Sequence, residues 1–497
     1  MTDEIFKKFS AGRHPDQNDF HAGKMFLLLQ DPFGMWCNYH APKEEAVEEP
    51  NLYENMRGKT DRTTRDVWIK EHCKNIVAVS GISDEERFKA TLKAMAEGAD
   101  GIIGAVLWDL RGKPGLCGSV NLLYRVNEGK SVFGDYHYKI IQLKRAGELK
   151  EHYIMQTAVM NSILCDIQGE HTQNALFILR DKEQTLDCDK VIQKARAHIQ
   201  DWMAIKDGSF CPDAKKPPKA ALPPWRVYAN KYLFEKKDIA LLPHLSGQMR
   251  NVLRQNKINT YEEVADAGLA KIKEILKEPL GTEALAEGTY WSAVAFKLHR
   301  PVQRAAGIFP PPEKKRNLYF DFEVTETFTQ NSISFVYLIG VWDKEKNVFV
   351  PFVAKCEAEE EKIFKEFADY AGPAGESALY HWTEYEVKKM RSLCEKYPNI
   401  KNDLEKLIGA CTDLKVVVEK AFYIPAPSLS LKAAAPAFGF HWRQDDCGAM
   451  DSMVYFTEWL KTGEESLLKK VLMYNEDDCV AMLFVEDNLK KAEVFIP

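Results

Sequence analysis

The stretch NLYFDFEVT, residues 317–325, decides how the last third of this chain is interpreted. Its aromatic and β-branched residues predict a β-strand. Asp321 and Glu323 stand two residues apart, and because side chains alternate along a strand, both carboxylates face the same side of the sheet. Two acids on one face repel each other, so they need solvent or a cation beside them. An exposed strand produces this spacing by chance, so the pair alone is weak evidence for a metal site.

The segments after this strand predict an α/β arrangement with a mixed sheet over residues 313–497. Three β-rich runs predict an antiparallel meander, and helices then alternate with a further strand. The predicted elements are strands over residues 332–343 and 347–355, a helix over 359–371, a strand over 377–382, a helix over 383–397 and a long final helix over 466–492.

The final helix adds a phenol and a carboxylate. Tyr474 and Asp478 in YNEDDC lie four residues apart, which places them on one helical face, whereas Asp477 points elsewhere. Acidic helix faces are usually solvated. The apolar residues around this segment, among them Val471 and Leu483, instead predict that the helix packs closely against the sheet.

A third segment, HWTEYE at residues 381–386, contributes another acid. The predicted strand ends at His381, and Glu386 enters the first turn of the next helix, where the helix dipole also favours a carboxylate. Asp413 in CTDLKVVV is an alternative to Glu386, although an acid that ends a strand beside a core helix accounts for Asp413 better.

Together these segments would bring four carboxylates to one point. They are Asp321, Glu323, Glu386 and Asp478. Mg²⁺ prefers octahedral oxygen ligands and keeps several waters, so four acids can hold two ions and leave room for a phosphate. One ion lowers the pKa of a water and directs it at phosphorus, while the other stabilises the leaving 3′ oxygen. Tyr474 would orient or deprotonate that water, and we expect two Mg²⁺ or Mn²⁺ ions as cofactors.

The segments FDFE, HWTEYE and YNEDDC resemble the three exonuclease motifs of the DEDD superfamily, over about residues 317–492. The resemblance implies a ribonuclease H-like domain that acts as a 3′→5′ exonuclease on single-stranded DNA or RNA. Tyr474 ahead of Asp478 implies the tyrosine subclass. The second motif of the superfamily ends in Asp, whereas this chain has Glu386, whose side chain is one methylene longer.

The segment LSLKAAAPAFGFHWR, residues 429–443, extends the resemblance to bacterial RecB-like putative nucleases with a ribonuclease H-like C-terminus. The chain is similar to that family along its whole length. Aromatic side chains near the cleft would stack on terminal bases, and a lysine would contact phosphate. The residues expected to contact nucleic acid are His381, Trp382, Tyr385 and Lys432.

Within this resemblance, residues 1–210 correspond to a RecB-like domain of the PD-(D/E)xK type. Its chemistry needs an Asp and then an acid-x-Lys pair to hold Mg²⁺. Here Asn121 stands in place of the Asp, and Gln142 in place of the acid before Lys144. Gln156 keeps the family's helical motif. We expect a catalytically inactive α/β domain that serves as a scaffold or a nucleic-acid-binding surface.

Basic side chains in this first domain would attract phosphates, although a solvated basic face explains them as well. They are Lys144, Arg145 and Lys150. Relatives often hold an iron–sulfur cluster after this domain. Because Cys211 stands alone among prolines, we expect no cluster here.

Proline-rich stretches mark the predicted domain boundaries. Residues 211–225 read as a linker, and a second stretch covers 309–317. Between them, residues 226–304 predict a small helical module that weakly resembles helix-hairpin-helix elements, although its hairpin has a single glycine, Gly247.

Bulk properties exclude several other classes of protein. The longest apolar run is too short to span a bilayer and the N-terminus lacks a signal-peptide core, so we expect a soluble, cytoplasmic protein without membrane contact. The 11 cysteines show no C-x₂-C spacing, and a net charge of −6 argues against bulk coating of nucleic acid. The RGKP around Lys113 lacks the glycine of a P-loop.

Two hypotheses about function follow. The first is a Mg²⁺- or Mn²⁺-dependent nuclease that trims single-stranded 3′ ends. The alternative is a non-catalytic nucleic-acid-binding or assembly protein in which both nuclease domains have decayed. Each C-terminal motif retains a carboxylate, and random decay would not spare all of them, which favours the first hypothesis.

Overall fold

The computed structural model describes residues 1–48, 68–81, 83–144, 146–180, 182–243, 245–280, 283–325, 334–444 and 448–497. Within these ranges, residues up to 46 and from 68 to 214 form one unit, and residues 47–48 and 215–497 form another. Arg145 and the first two residues of the predicted strand over 332–343 lie outside the described ranges.

The first unit combines helices with two mixed sheets. Its helices are α1 (Thr2–Ser10), α2 (Lys24–Gln30), α3 (Pro32–His40), α4 (Asp84–Ala96), α5 (Glu151–Gln168) and α6 (Ile192–Asp207). Its strands are β1 (Phe20–His21), β2 (Ile76–Ala78), β3 (Gly101–Ile103), β4 (Val106–Asp109), β5 (Leu116–Ser119), β6 (Leu122–Val126), β7 (His137–Leu143), β8 (Asn174–Ile178) and β9 (Glu183–Asp187). The strand orders are β2-β3-β6-β7-β8-β9 and β1-β5-β4.

A glycine divides an apolar run of the first unit, residues 101–110, into two strands. The run GIIGAVLWDL forms β3 and β4, which belong to different sheets. Gly104 between them has a φ of 68°, a left-handed conformation that side-chain-bearing residues adopt only with strain. The chain therefore changes sheet at this residue.

The second unit begins with a helical segment and continues into an α/β segment. The helices of the first segment are α7 (Arg226–Glu235), α8 (Gly247–Gln255), α9 (Tyr261–Ala267), α10 (Leu269–Leu280) and α11 (Glu283–Leu298). The short strand β10 (Val302–Gln303) then pairs with β16 (Phe422–Tyr423) of the α/β segment. The predicted helical character of the middle segment agrees with these elements.

The α/β segment holds a five-stranded mixed sheet. Its strands are β11 (Arg316–Val324), β12 (Val336–Asp343), β13 (Val348–Val353), β14 (Ser377–His381) and β15 (Cys411–Asp413). The order is β13-β12-β11-β14-β15. Strands β13, β12 and β11 pair antiparallel with one another, and β14 and β15 continue the sheet from β11 in parallel. The predicted meander and the α/β fold class are confirmed.

Seven helices of this segment surround the sheet in the described ranges. They are α12 (Glu360–Ala371), α13 (Tyr385–Lys396), α14 (Lys401–Ala410), α15 (Leu414–Ala421), α16 (Leu431–Ala434), α17 (Ala449–Thr462) and α18 (Glu465–Lys491). The sequence predicted α12, α13 and α18. Apolar side chains on both faces of the sheet are buried, with Phe320 and Leu379 in one cluster and Tyr319 and Tyr380 in another.

Helix α18 approaches the sheet closely at one glycine. The thiol of Cys479 lies 3.4 Å from the carbonyl oxygen of Gly340 in β12. A methyl group at Gly340 would overlap the side-chain oxygen of Asn475, which is fully buried. The absence of a side chain at residue 340 therefore lets α18 bring its polar side chains down to β11.

Candidate active site

Three carboxylates, two from β11 and one from α18, lie close together. Asp321 and Glu323 come from one side of β11, and Asp478 comes from the middle of α18. One oxygen atom from each carboxylate lies within 4.8 Å of the others. Glu323 and Asp478 are buried, being 5% and 8% exposed, and Asp321 is half-buried. The fold thus brings the pair on β11 together with Asp478, which lies far along the sequence from both.

The three carboxylates resist losing their protons. Burial, followed by the charges of Asp478 and Glu323, raises the pKa of Asp321 well above its usual range. Burial and the charge of Asp478 raise the pKa of Glu323 to about 8. Burial also raises the pKa of Asp478, against the opposing charge of Lys432. Such shifts mark a site where negative charge lacks compensation, and a divalent cation would supply it.

Neighbouring polar groups hold the two acids of β11 in place. The hydroxyl of Tyr337 in β12 donates to Glu323 at 3.3 Å and lies 2.9 Å from the hydroxyl of Ser452 in α17. The amide nitrogen of Asn475 donates to Asp321 at 2.9 Å. These donors fix the orientation of both carboxylates before any ligand arrives.

Asp478 has its own set of partners. The indole nitrogen of Trp442 donates to its Oδ1 at 2.7 Å, and the ammonium of Lys432 lies 3.0 Å from the same atom. A hydrogen bond with Tyr474 lowers the pKa of Asp478, in opposition to the effect of burial. The predicted face of α18 thus places the phenol of Tyr474 beside the carboxylate.

Asp477, the acid next to Asp478 on α18, has a different hydrogen-bond partner. Asp477 accepts hydrogen bonds from the backbone nitrogen of Arg443 at 2.8 Å and from its Nε at 2.6 Å. The consecutive residues Trp442 and Arg443 thus contact Asp478 and Asp477 respectively. Asp477 therefore points away from the three-carboxylate group, as the helical periodicity predicted.

Glu386 lies at the edge of this group. Its carboxylate is buried at the start of α13, and its Oε2 accepts no hydrogen bond from any described residue. The same atom lies 3.5 Å from Nδ1 of His381. The charge of Glu386 contributes to the raised pKa of Asp321. Glu386 is thus close enough to act on Asp321 through its charge, but it is not among the three acids whose oxygen atoms lie within 4.8 Å of one another.

Asp413, the alternative to Glu386, has a structural role. It ends β15, pairs with His381 in the sheet register and caps α15, because its side chain accepts from the backbone nitrogen of Val416 at 3.3 Å. It lies outside the three-carboxylate group.

The residues expected to contact nucleic acid have unequal exposure. His381 and Trp382 are buried, and the indole of Trp382 donates to the carbonyl of Leu429 at 2.8 Å. Tyr385 is 47% exposed. Partial burial raises the pKa of its hydroxyl, and the negative charges of the nearby acids, among them Glu386 and Asp321, raise it further. Only Tyr385 of these three aromatic side chains offers an open ring face beside the acids.

The loop that presents Tyr385 is strained. Thr383, two residues earlier, has a φ of 125°, which a β-branched residue adopts only at an energetic cost. Its carbonyl contacts Nδ1 of His381.

Several residues of the site escaped the sequence analysis. Tyr337, Asn475 and Trp442 orient the acids. Asn475 lies within the motif YNEDDC, but the spacing of that motif assigned a role only to Tyr474 and Asp478. Trp442 belongs to the segment that carries the family resemblance, and this is the one signal that singles it out.

In the first unit, polar amides stand where the resemblance places acids. The side-chain oxygen of Asn121 accepts from the backbone nitrogen of Leu143 at 3.3 Å, and Gln142 is buried next to it in β7. Lys144 places its ammonium 4.6 Å from the ring centre of Tyr153, and Gln156 is half-buried in α5. This region brings together no group of metal-binding acids among the described residues.

In the parts of the chain that the structure describes, no helix has both the length and the apolar character needed to cross a membrane.

Comparisons with known proteins bear on the second unit. Residues 318–490 match a family model described as RNase_H superfamily. A solved structure titled "Crystal structure of SSO0001" is 13% identical with a TM-score of 0.20, over 40% of this chain and 85% of that chain, a likeness too low to support an argument. No curated protein matches this chain. The family match and the order of the five strands identify the C-terminal segment as a ribonuclease H-like domain.

Proposed function

We propose that this protein is a nuclease that hydrolyses phosphodiester bonds with the help of Mg²⁺ or Mn²⁺. The observation that carries the proposal is the convergence of Asp321, Glu323 and Asp478 in a ribonuclease H-like domain. Buried acids with raised pKa values are unfavourable in a purely structural role, because burial of a charge without a partner is costly. A divalent cation relieves that cost and brings catalytic capacity with it.

Four carboxylates are proposed as the ligands of two ions. They are Asp321, Glu323, Glu386 and Asp478. When bound, the ions would activate water and neutralise charge that develops on the phosphate. The protein's own part is to orient these groups: Tyr337 and Asn475 hold two of the acids, and Tyr474 beside Asp478 positions the hydroxyl that would receive or direct a proton.

The finer proposal is a 3′→5′ exonuclease of the DEDD type, tyrosine subclass, that acts on single-stranded DNA or RNA. It rests on the resemblance of the three motifs and on the position of Tyr474. Tyr385, with an exposed ring beside the acids, would stack on the terminal base. Because His381 and Trp382 are buried, we do not propose that they contact nucleic acid.

For the first unit we propose a RecB-like domain without catalytic activity. The amides at Asn121 and Gln142 support this, since neutral side chains cannot replace anionic ligands. The domain boundaries proposed from the sequence, at 1–210, 226–304 and 313–497 with a linker over 211–225, remain predictions.

The decisive experiment uses the purified full chain with Mn²⁺ and a labelled oligonucleotide. We expect single-stranded DNA or RNA to be shortened from the 3′ end by the wild type and left intact by Asp321→Asn. A 5′ label and a 3′ label on the same oligonucleotide distinguish the direction. Intact substrate with the wild type, or equal cleavage by Asp321→Asn, would refute the proposal.

A further inference from the structure

Lys432 reaches into the carboxylate group from the short helix α16. Its ammonium lies 3.0 Å from Oδ1 of Asp478, 3.9 Å from the ring centre of Trp442 and 4.4 Å from that of Tyr474. Two aromatic rings and one carboxylate therefore hold the charge in a fixed place. The sequence had suggested a phosphate contact for this lysine, but its charge is directed toward an acid.

The contact occupies one oxygen of a proposed metal ligand. Oδ1 of Asp478 accepts from the indole of Trp442 at 2.7 Å and is also the partner of Lys432. An oxygen with two lone pairs and two donors has no capacity left for a cation. Asp478 therefore has only its other oxygen to offer to a metal ion.

The electrostatics agree with this geometry. The charge of Lys432 acts on all three acids, since it opposes the rise in the pKa of Asp321, Glu323 and Asp478. Its side chain is 35% exposed, so solvent reaches it from one side while the rings cover the other. The ammonium thus behaves as an internal counter-ion of the group.

We infer that Lys432 occupies one of the two cation positions of the free site, so that the protein without substrate binds a single divalent ion tightly. This inference rests on the proposed function and refines it. Two cations close to the same carboxylate oxygen would repel each other, so the second ion can enter only when Lys432 withdraws. Phosphate oxygens of a bound nucleic acid would supply both a new partner for the lysine and new ligands for that ion.

The test measures how many Mn²⁺ ions bind to the metal-free full chain, by isothermal titration calorimetry and by electron paramagnetic resonance of free Mn²⁺. We expect one tight ion in the wild type and in Lys432→Arg, which keeps the charge. We expect two in Lys432→Met, with the first bound roughly tenfold more tightly, a difference of the size that removal of one nearby charge produces.

Two further variants serve as controls for this measurement. Lys470→Met removes another lysine that lies over a ring, 4.8 Å from the ring centre of Tyr455, and should leave the stoichiometry at one. Lys432→Gln is a second neutral variant in case Lys432→Met does not fold, as judged by circular dichroism and melting without metal.

Two tight ions in the wild type, or one ion in both neutral variants, would overturn the inference. If the wild type cuts its substrate, Asp321→Asn does not, and two ions still bind, the inference alone fails. If no variant binds Mn²⁺ and the wild type does not cut, the proposed function fails with it.

Discussion

Two regions of this chain hold buried polar side chains inside α/β sheets, yet they differ in how those side chains are satisfied. In the first unit, the amide of Asn121 has a backbone donor at 3.3 Å, and it lies beside another neutral amide, Gln142. In the second unit, buried acids face one another and Glu386 retains an oxygen without a donor. The first arrangement is satisfied by protein groups, whereas in the second Lys432 offsets only part of the burial cost, and a divalent cation would offset the rest. Chemical activity is therefore expected in the second region.

The largest expected effect is on cleavage. Asp478→Asn should lower the rate of Mn²⁺-dependent cleavage by roughly 10³-fold, because it removes a ligand worth several kcal/mol of transition-state stabilisation. Gln142→Met, the matched change in the first unit, should keep the rate within about twofold of the wild type. Initial cleavage rates, divided by the concentration of folded protein, measure both effects. A comparable loss of rate in the two variants would contradict the proposal that cleavage depends on the second region alone.

The second prediction concerns close packing. Gly340→Ala should destabilise the second unit by about 3 kcal/mol, since the new methyl group meets the buried side chain of Asn475 and the ring of Phe349. Gly118→Ala in the first unit meets the flexible end of Met160 at 2.8 Å and should cost about 1 kcal/mol. Urea denaturation measures both losses. A loss of about 1 kcal/mol or less in Gly340→Ala would show that α18 can move away from β12 at little cost.

The third prediction uses ligand-linked stability. Mn²⁺ at about 100 times its dissociation constant should raise stability by about 2.7 kcal/mol, which is a shift of roughly 5 °C in melting temperature. Asp321→Asn should abolish the shift, and Gln142→Met should retain it. Differential scanning fluorimetry with and without chelator is sufficient. A shift that persists in Asp321→Asn would place the metal elsewhere.

The smallest effect concerns pH without metal. Because the pKa of Glu323 is raised to about 8, the folded protein holds a proton that the unfolded chain releases near pH 4.5. The stability from this group is therefore fully present below pH 4.5 and is lost as the pH rises through about 8. In chelator, the melting temperature should fall by a few degrees between pH 5 and pH 8.

Glu323→Gln should make this dependence shallower, because the neutral amide has no proton to lose, while Asp321 and Asp478, whose pKa values are also raised, keep the remainder. Glu376→Gln is the matched control, since Glu376 is only paired with Lys315 at the surface. If the slope with pH is the same in Glu323→Gln and the wild type, burial of Glu323 does not control it.

Local periodicity predicted much of the fold and part of the site. Strand alternation placed Asp321 and Glu323 together, and the four-residue spacing placed Tyr474 beside Asp478. Both relations depend on a single element, whose geometry the sequence contains. The strands of the mixed sheet followed from the same kind of pattern.

Contacts between distant elements could not be predicted in this way. The partnership of Tyr337 with Glu323 depends on strand register, which shifts at an irregularity between Glu323 and Val324. The place of Lys432 depends on how α16 lies over α18, and no spacing within the sequence encodes that. The helices α14, α15 and α17 were not predicted, because the prediction followed the segments that carry the motifs.

The paired contacts of Trp442 and Arg443 have a consequence for chain alignment. Two successive side chains meet two successive acids, Trp442 with Asp478 and Arg443 with Asp477, so a one-residue displacement that set the guanidinium against Asp478 would remove the indole from that acid. With Lys432 already on one oxygen of Asp478, a second fixed cation would compete with a metal ion for the remaining oxygen. A change in the chain that shifts residues 442–443 by one position along α18 would therefore weaken metal binding while every acid remains in the polypeptide.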